Sequence, residues 1–139
     1  MQSRSSVLIV LSAEDIFAFL VDPANDRRWR SHLVSSRGSI TAPGDHISQI
    51  YSYGGRSKTI ELSVSEIDRP HRLTFALTDP VSARLSFALR PDGGGTRVSV
   101  SLSADLSGPL ALFESRAQAE LAKQLRADLD RLKVTLESR

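Results

Sequence analysis

Towards the C-terminus Leu110, Phe113, Ala117, Leu121, Leu125, Leu129, Leu132 and Leu136 recur at steps of three and four. That spacing lays a single apolar stripe along one face of a helix. Ser107-Gly108-Pro109 opens the segment, and no Gly or Pro interrupts it afterwards. The predicted helix is about 28 residues long, hence about 42 Å at about 1.5 Å per residue. A compact domain of 139 residues has a radius of gyration of only about 14 Å. The helix must therefore cross the whole body, and its stripe needs an apolar partner of equal length.

The partner is predicted in the middle of the chain, where the period changes to two from Leu33 onward. Ile60, Leu62 and Val64 alternate with polar residues, as do Leu73, Phe75 and Leu77; Val81, Ala83, Leu85, Phe87 and Leu89; and Val98, Val100, Leu102 and Ala104. Such alternation marks antiparallel strands packed on one face and wet on the other. Gly54-Gly55, Arg69-Pro70, Asp79-Pro80 and Pro91-Asp92-Gly93-Gly94-Gly95 supply the turns between them. Asp45 to Tyr53 is a further strand with two candidate facings. One face carries Ile47, Gln49, Tyr51 and Tyr53; the other carries His46, Ser48, Ile50 and Ser52. Val7 to Leu11 is the first strand, and two short helices follow it. Ser12 and Asp15 cap the first, with Ile16, Phe19 and Leu20 on one face. Asp22-Pro23 opens the second, Pro23 to Ser31, which is polar apart from Ala24 and Trp29.

The fold class is α+β: a curved antiparallel sheet of six to seven strands around a long C-terminal helix, as a single domain over residues 1–139. At about 4.8 Å per strand the sheet is roughly 30 Å wide. One helix about 10 Å across covers only a third of it. Either bulky side chains fill the gap or a cavity remains. With aromatics at 6%, one Trp and one Met, and with small residues at the inward positions Ala83, Ala104 and Ala117, the composition favours a cavity over a collapsed core. A concave apolar wall with few polar groups is the usual form of a ligand site.

Other classes are excluded on composition. The chain has no cysteine, so thiol nucleophiles, disulfides and cysteine-ligated zinc are ruled out. Its 18 basic and 16 acidic residues leave a net charge of +2 with no clustered basic face, which argues against a nucleic-acid partner. No segment approaches the roughly 20 apolar residues of a membrane span. The five-residue run Val7 to Leu11 is shorter than a secretory h-region of about 7–15 residues. A cytoplasmic location is the expectation.

The order of elements resembles the helix-grip fold of the START-like, or SRPBCC, superfamily, and within it the polyketide cyclase/dehydrase and lipid-transport family. The likeness rests on residues 13–20 (AEDIFAFL) running into Asp22-Pro23 and Trp29, and then on Pro43-Gly44 and Gly55-Arg56. It continues through residues 69–75 (RPHRLTF) and Gly95-Thr96-Arg97-Val98, and ends on Leu132-Lys133 and Leu136-Glu137. It spans nearly the whole chain. The resemblance implies a cavity between sheet and helix that receives a lipid, polyketide or other hydrophobic small molecule, without implying an activity.

The expected ligand-binding residues are Phe75, Leu85, Phe87, Val100 and Leu102 on inward strand parities, and Phe113, Ala117 and Leu121 on the helix stripe. Gln49, Tyr51 and Tyr53 join them if their strand faces inward; an amide and two phenols could then orient a carbonyl or act as an acid in enolisation. Otherwise the tyrosines only cap the sheet edge. No catalytic residue, cofactor or metal is assigned. His32, His46 and His71 are scattered, with no metal-ligand spacing. Exposure is expected for His71, and His32 beside Trp29 is a candidate for a pocket mouth. Gly93-Gly94-Gly95 lacks the Lys-Ser/Thr of a phosphate loop. Arg27-Arg28-Trp29-Arg30 could hold a phosphate or a ligand carboxylate. Four adjacent residues spread around a helix, however, so a solvated helix anchored by Trp29 is the favoured reading. Glu61 and Arg84 fall on outward parities. The leading expectation is a non-enzymatic binding or carrier module. A cyclase or dehydratase using the same cavity and a protein-interaction module are the alternatives, and a homodimer stays open.

Overall fold

The computed structural model describes residues 1–78, 81–105 and 114–139, with side chains in the last segment from residue 118 onward. Seven strands form one antiparallel sheet: β1 (Gln2–Ile9), β2 (Leu33–Gly38), β3 (His46–Tyr53), β4 (Arg56–Asp68), β5 (Arg72–Leu77), β6 (Ala83–Asp92) and β7 (Gly95–Ala104). The order across the sheet is β1-β7-β6-β5-β4-β3-β2. Strands β2 to β7 thus form a meander, and β1 closes onto β7 at its far side. Between β1 and β2 lie α1 (Ala13–Leu20) and a 3-10 helix (Pro23–Arg28). The chain ends in α2 (Glu114–Glu137).

The helix-grip expectation holds. Helix α2 runs without a break past Leu121 to Glu137, and Leu125, Leu129, Leu132 and Leu136 are buried along it. They meet the inward residues Val64, Leu73, Phe87, Leu89, Val98 and Val100 in one apolar cluster. The opening Ser107-Gly108-Pro109, Leu110 and Phe113, and the Asp79-Pro80 turn, lie outside the described residues, as does the Ala117 side chain.

Local chemistry matches the elements. Ser12 accepts a hydrogen bond from the Asp15 amide at 3.1 Å and caps α1; Asp22 does the same for Ala24 at the head of the 3-10 helix. The β3–β4 hairpin turns on Gly54 (φ +55°) and Gly55 (φ +81°). Two successive left-handed residues form the tight turn whose twist matches paired strands, and glycine takes them without a Cβ penalty.

Several boundaries differ from the sequence reading. Strand β6, for one, starts at Ala83 rather than Val81 and runs to Asp92, so that only Gly93 and Gly94 of the expected Pro91 to Gly95 turn lie outside the strands. The first strand starts at Gln2 rather than Val7, because its polar first half is held by backbone pairing to β7, from Gln2 opposite Ser103 to Ile9 opposite Thr96. It also ends at Ile9, and Val10 is exposed. The second helix is shorter than Pro23 to Ser31: it stops at Arg28, and Trp29 and Arg30 sit in the chain leaving it.

Helix α2 is tied to the edge strand as well as to the sheet face. Gln118 Nε2 donates to the Gln2 carbonyl at 2.6 Å, Arg126 Nη1 to that of Ser6 at 3.1 Å and Lys133 Nζ to that of Leu8 at 2.6 Å. Glu137 Oε2 accepts the Val10 amide at 2.9 Å.

Trp29 is 3% exposed and meets Phe87 edge-on, with ring centroids 6.0 Å apart. Phe87 in turn meets Phe75 edge-on at 6.4 Å. Trp29→Ala is therefore expected to cost about 3–5 kcal/mol in chemical denaturation. A loss below about 1 kcal/mol would mean that the indole contributes as a surface group does.

Candidate functional site

A cavity of about 190 Å³ opens between the concave sheet and α2. Its apolar wall comes from β4 to β7 and α2: Ile60, Leu62, Phe75, Leu77, Ala83, Leu85, Leu102, Leu121 and Leu125. Its polar side is made by Arg30, Gln49, Tyr51, Tyr53, Gln124 and Asp128.

Strand β3 faces inward on the Ile47 parity, with Ile47, Gln49 and Tyr51 all buried. Of the residues expected at the site, Gln49, Tyr51, Tyr53, Phe75, Leu85, Leu102 and Leu121 line this cavity. Phe87 and Val100 do not. They lie beside a void of about 10 Å³ shared with Trp29 and Leu129, and the indole of Trp29 packs edge-on against Phe87. Tyr53 is half exposed and stands at the mouth, its ring 6.4 Å from Tyr51 and 4.4 Å from the exposed His32. His32 stacks on the rim without lining the cavity, and His46 and His71 are exposed.

The polar side is one hydrogen-bonded chain. Arg30 Nη2 donates to the Tyr51 hydroxyl at 3.1 Å. Tyr51 donates to Gln49 Oε1 at 2.8 Å. Gln49 Nε2 donates to Asp26 Oδ2 and to Ser36 Oγ, both at 3.3 Å, and Ser36 donates to the same Asp26 oxygen at 2.9 Å. On the helix side Asp128 faces Arg30 at 3.8 Å and Arg131 at 3.6 Å. It also accepts from the Ser31 amide at 3.0 Å and from the Ser31 hydroxyl.

Burial raises the Asp26 pKa to about 6, against the pull of Arg30, Ser36 and Gln49, with Asp22 adding to the rise. Burial likewise pushes the Tyr51 phenol above its usual value, opposed by Arg30. Burial works against the Arg30 charge, but the oxygens of Tyr51, Asp26 and Asp128 outweigh it and hold the guanidinium charged. Trp29 Nε1 is buried with no hydrogen-bond partner among the described residues. Among those residues no group of three His, Asp or Glu is placed to hold a metal ion, and no helix is long and apolar enough to cross a membrane.

A curved seven-stranded sheet gripping a C-terminal helix over an apolar cavity is the architecture that the sequence resemblance implied. The profile of the polyketide cyclase/dehydrase and lipid-transport family matches residues 2–137. The chain belongs to that family. No curated protein matches its sequence.

Solved structures share the fold at low identity. TTHA0849 from Thermus thermophilus is 15% identical with a TM-score of 0.82, over 99% of this chain and 98% of that one. NE0264 from Nitrosomonas europaea is 12% identical with a TM-score of 0.81, over 99% and 95%. The di-domain ARO/CYC StfQ from the steffimycin biosynthetic pathway is 10% identical with a TM-score of 0.80, over 99% of this chain and 51% of that protein. This family member thus spans about half of that di-domain protein.

The sequence reading missed Gln124, Asp128 and Asp26 and favoured a different setting for Arg30. Arg30 was expected on a solvated helix, but it leaves the 3-10 helix behind, is only 16% exposed at its side chain, and stacks over the Trp29 ring at 5.2 Å. Arg27 and Arg28 are exposed as expected. Asp128 is not part of the leucine stripe from which the last helix was read, yet it is 3% exposed. Its signal was present: Asp128 follows Leu125 by three and precedes Leu132 by four, on the flank of the stripe. Asp26 had no such signal in a polar segment.

The Asp26 pKa is raised by folding, so its contribution to stability is fully present below about pH 4 and is lost as pH rises through about 6. Replacing it with a neutral isostere removes that loss. In urea denaturation, the stability of Asp26→Asn relative to the unaltered protein should be flat below about pH 4, climb to about pH 6, and stay level above. A difference independent of pH would place the carboxyl in a solvated setting.

Proposed function

We propose that this protein binds one small, mostly apolar molecule carrying an oxygen function, acting as a carrier or receptor module. The observation that carries this reading is the division of a single cavity into an apolar wall and one polar side on which a partly buried, charged Arg30 stands. Membership of a family described by polyketide cyclisation and lipid transport supports the same ligand chemistry.

Size narrows the ligand. Engineered apolar cavities of about 150 Å³ take benzene, and drug-sized sites run from about 300 to 1,000 Å³. A cavity of about 190 Å³ suits one or two fused rings, or a short chain, with any longer tail leaving past Tyr53. Among the described residues, the guanidinium of Arg30 makes one hydrogen bond, to Tyr51, so further N–H donors are available to a ligand carbonyl, enolate or carboxylate.

A cyclase or dehydratase acting in the same cavity is the second reading. A carboxyl that titrates near neutrality, linked through Gln49 to a phenol, favours it, since proton transfer works best with groups poised near the operating pH. Against it, the Tyr51 hydrogen is already committed to Gln49. A protein-interaction module has little support. Among the described residues, the large exposed apolar side chains Val10, Val34, Tyr53 and Val134 are distributed over the end of β1, β2, β3 and α2.

A binding protein is stabilised by its ligand through mass action. Flat two-ring ketones and naphthoates should raise the melting temperature, and Arg30→Gln should weaken the naphthoate more than the ketone. Ala83→Leu places three carbons into the cavity. It should leave the ligand-free melting temperature unchanged or higher and abolish the ligand-induced rise. A solid interior would instead lose about 1–3 kcal/mol to overpacking, and that result together with no ligand response would remove the basis of the proposal.

A further inference from the structure

The polar chain on the cavity wall has a direction, and its two ends impose it. Arg30 is a donor without acceptor capacity, and an ionised carboxylate is an acceptor without donor capacity. Between them Tyr51 and Gln49 must each accept from the Arg30 side and donate towards Asp26, as their distances show: 3.1 Å into Tyr51, 2.8 Å from Tyr51 to Gln49, and 3.3 Å from Gln49 to Asp26. The phenolic hydrogen is thereby turned away from any ligand. Tyr51, Gln49 and Arg30 all line the cavity, whereas Asp26 lies behind it among Leu20, Trp29, Leu62 and Phe87.

We propose that Asp26 is a positioning residue that sets, through the Gln49 amide, whether the Tyr51 hydroxyl can donate a hydrogen bond to an oxygen on a cavity ligand. The inference rests on the binding reading above and deepens it. A neutral Asp26 has an O–H to donate. The Gln49 amide can then rotate by half a turn, accepting from Asp26 through Oε1 and donating through Nε2 to the Tyr51 oxygen. That oxygen then receives hydrogens from both Arg30 and Gln49, and its own hydrogen turns into the cavity. Ser36 Oγ both donates and accepts, so it fits either arrangement. No proton leaves or enters the ligand; the only proton exchanged is the one Asp26 takes from water.

The position of the carboxyl supports a change of charge in an accessible range. It is 6% exposed, and burial carries its pKa to about 6. The charged and titratable groups around it are Asp22 and Arg30 on its own segment and Tyr51 on β3, while β2 presents only Ser36. Asp128 of α2 faces Arg30 rather than Asp26.

Two probes on the same naphthalene ring test this: 2-acetonaphthone, which offers a carbonyl, and 2-ethylnaphthalene, which offers none. Both are uncharged throughout the range used. Affinities would be measured by fluorescence titration between about pH 5 and about pH 8, spanning the Asp26 titration. The ketone should bind roughly fivefold or more tightly at the acidic end, the effect of one added hydrogen bond, and 2-ethylnaphthalene should show no trend. Tyr51→Phe should remove the trend for the ketone. Asp26→Asn should bind the ketone equally at all pH values. Equal pH profiles for the two probes would overturn the proposal, as would a ketone trend that survives in Tyr51→Phe or Asp26→Asn. The two probes on the unaltered protein decide the matter even if a variant fails to fold. Binding by neither probe at any pH would overturn the binding reading itself; binding by both without a pH difference overturns this inference alone.

Discussion

A sheet seven strands wide and one helix cannot cover each other. At about 4.8 Å per strand the sheet spans roughly 30 Å, and a helix with its side chains covers about 10 Å of it. Most of the architecture answers that mismatch. The sheet is a meander whose far edge is closed by β1, α1 and the 3-10 helix cover the end where Trp29 and Phe17 are buried, and α2 takes the middle. Among the described residues, the space left between sheet and helix is the cavity between Phe75, Leu85, Leu102 and Leu121. It is thus a product of the same geometry that makes the core, rather than a hollow added to a finished fold.

The polar side of that cavity is costly to build. Arg30, Asp26 and Asp128 are all withdrawn from water, and an unpaired buried charge carries a penalty of several kcal/mol. Each is instead held by the others or by neutral donors: Asp128 by Arg30, Arg131 and Ser31, and Asp26 by Ser36 and Gln49. Buried ionic groups of this kind contribute little net stability compared with apolar residues of equal size. Net stability alone therefore does not account for their presence beside an otherwise apolar cavity, and the binding role proposed above starts from that.

How much of this was legible in the sequence follows the kind of force involved. The leucine stripe and the alternating strands were readable because burial imposes a period, and Leu125, Leu129 and Leu132 are buried where that period puts them. The facing of β3 stayed open because Ile47 and Ile50 offer one isoleucine to each side; tertiary pairing, with Ile47 opposite Leu62 and Gly38, resolves it. The first half of β1 was hidden because backbone hydrogen bonds to β7 hold it without an apolar signature. Arg30 and Asp26 were hidden for a related reason: a buried polar residue is identified by its partner, and Arg30 finds Tyr51 twenty-one positions away. Asp128 was readable from its place on the flank of the stripe, had the flank been weighed along with the crest.

The side chains that α2 lays on β1 also make the two borders of the sheet unequal. An unpaired strand is a template on which another chain can add. Along β1 the carbonyls of Gln2, Ser6 and Leu8 and the amide just beyond the strand, at Val10, are already taken by Gln118, Arg126, Lys133 and Glu137, so a foreign strand finds few free partners there. The other border, β2, has six residues, a register shift between Leu33 and Ser35, and Gly38, whose backbone passes so near His46 that a Cβ would lie 2.1 Å from its carbonyl oxygen. A visiting strand would gain only a few rungs on it. The sheet is guarded against strand addition by side chains on one border and by brevity on the other.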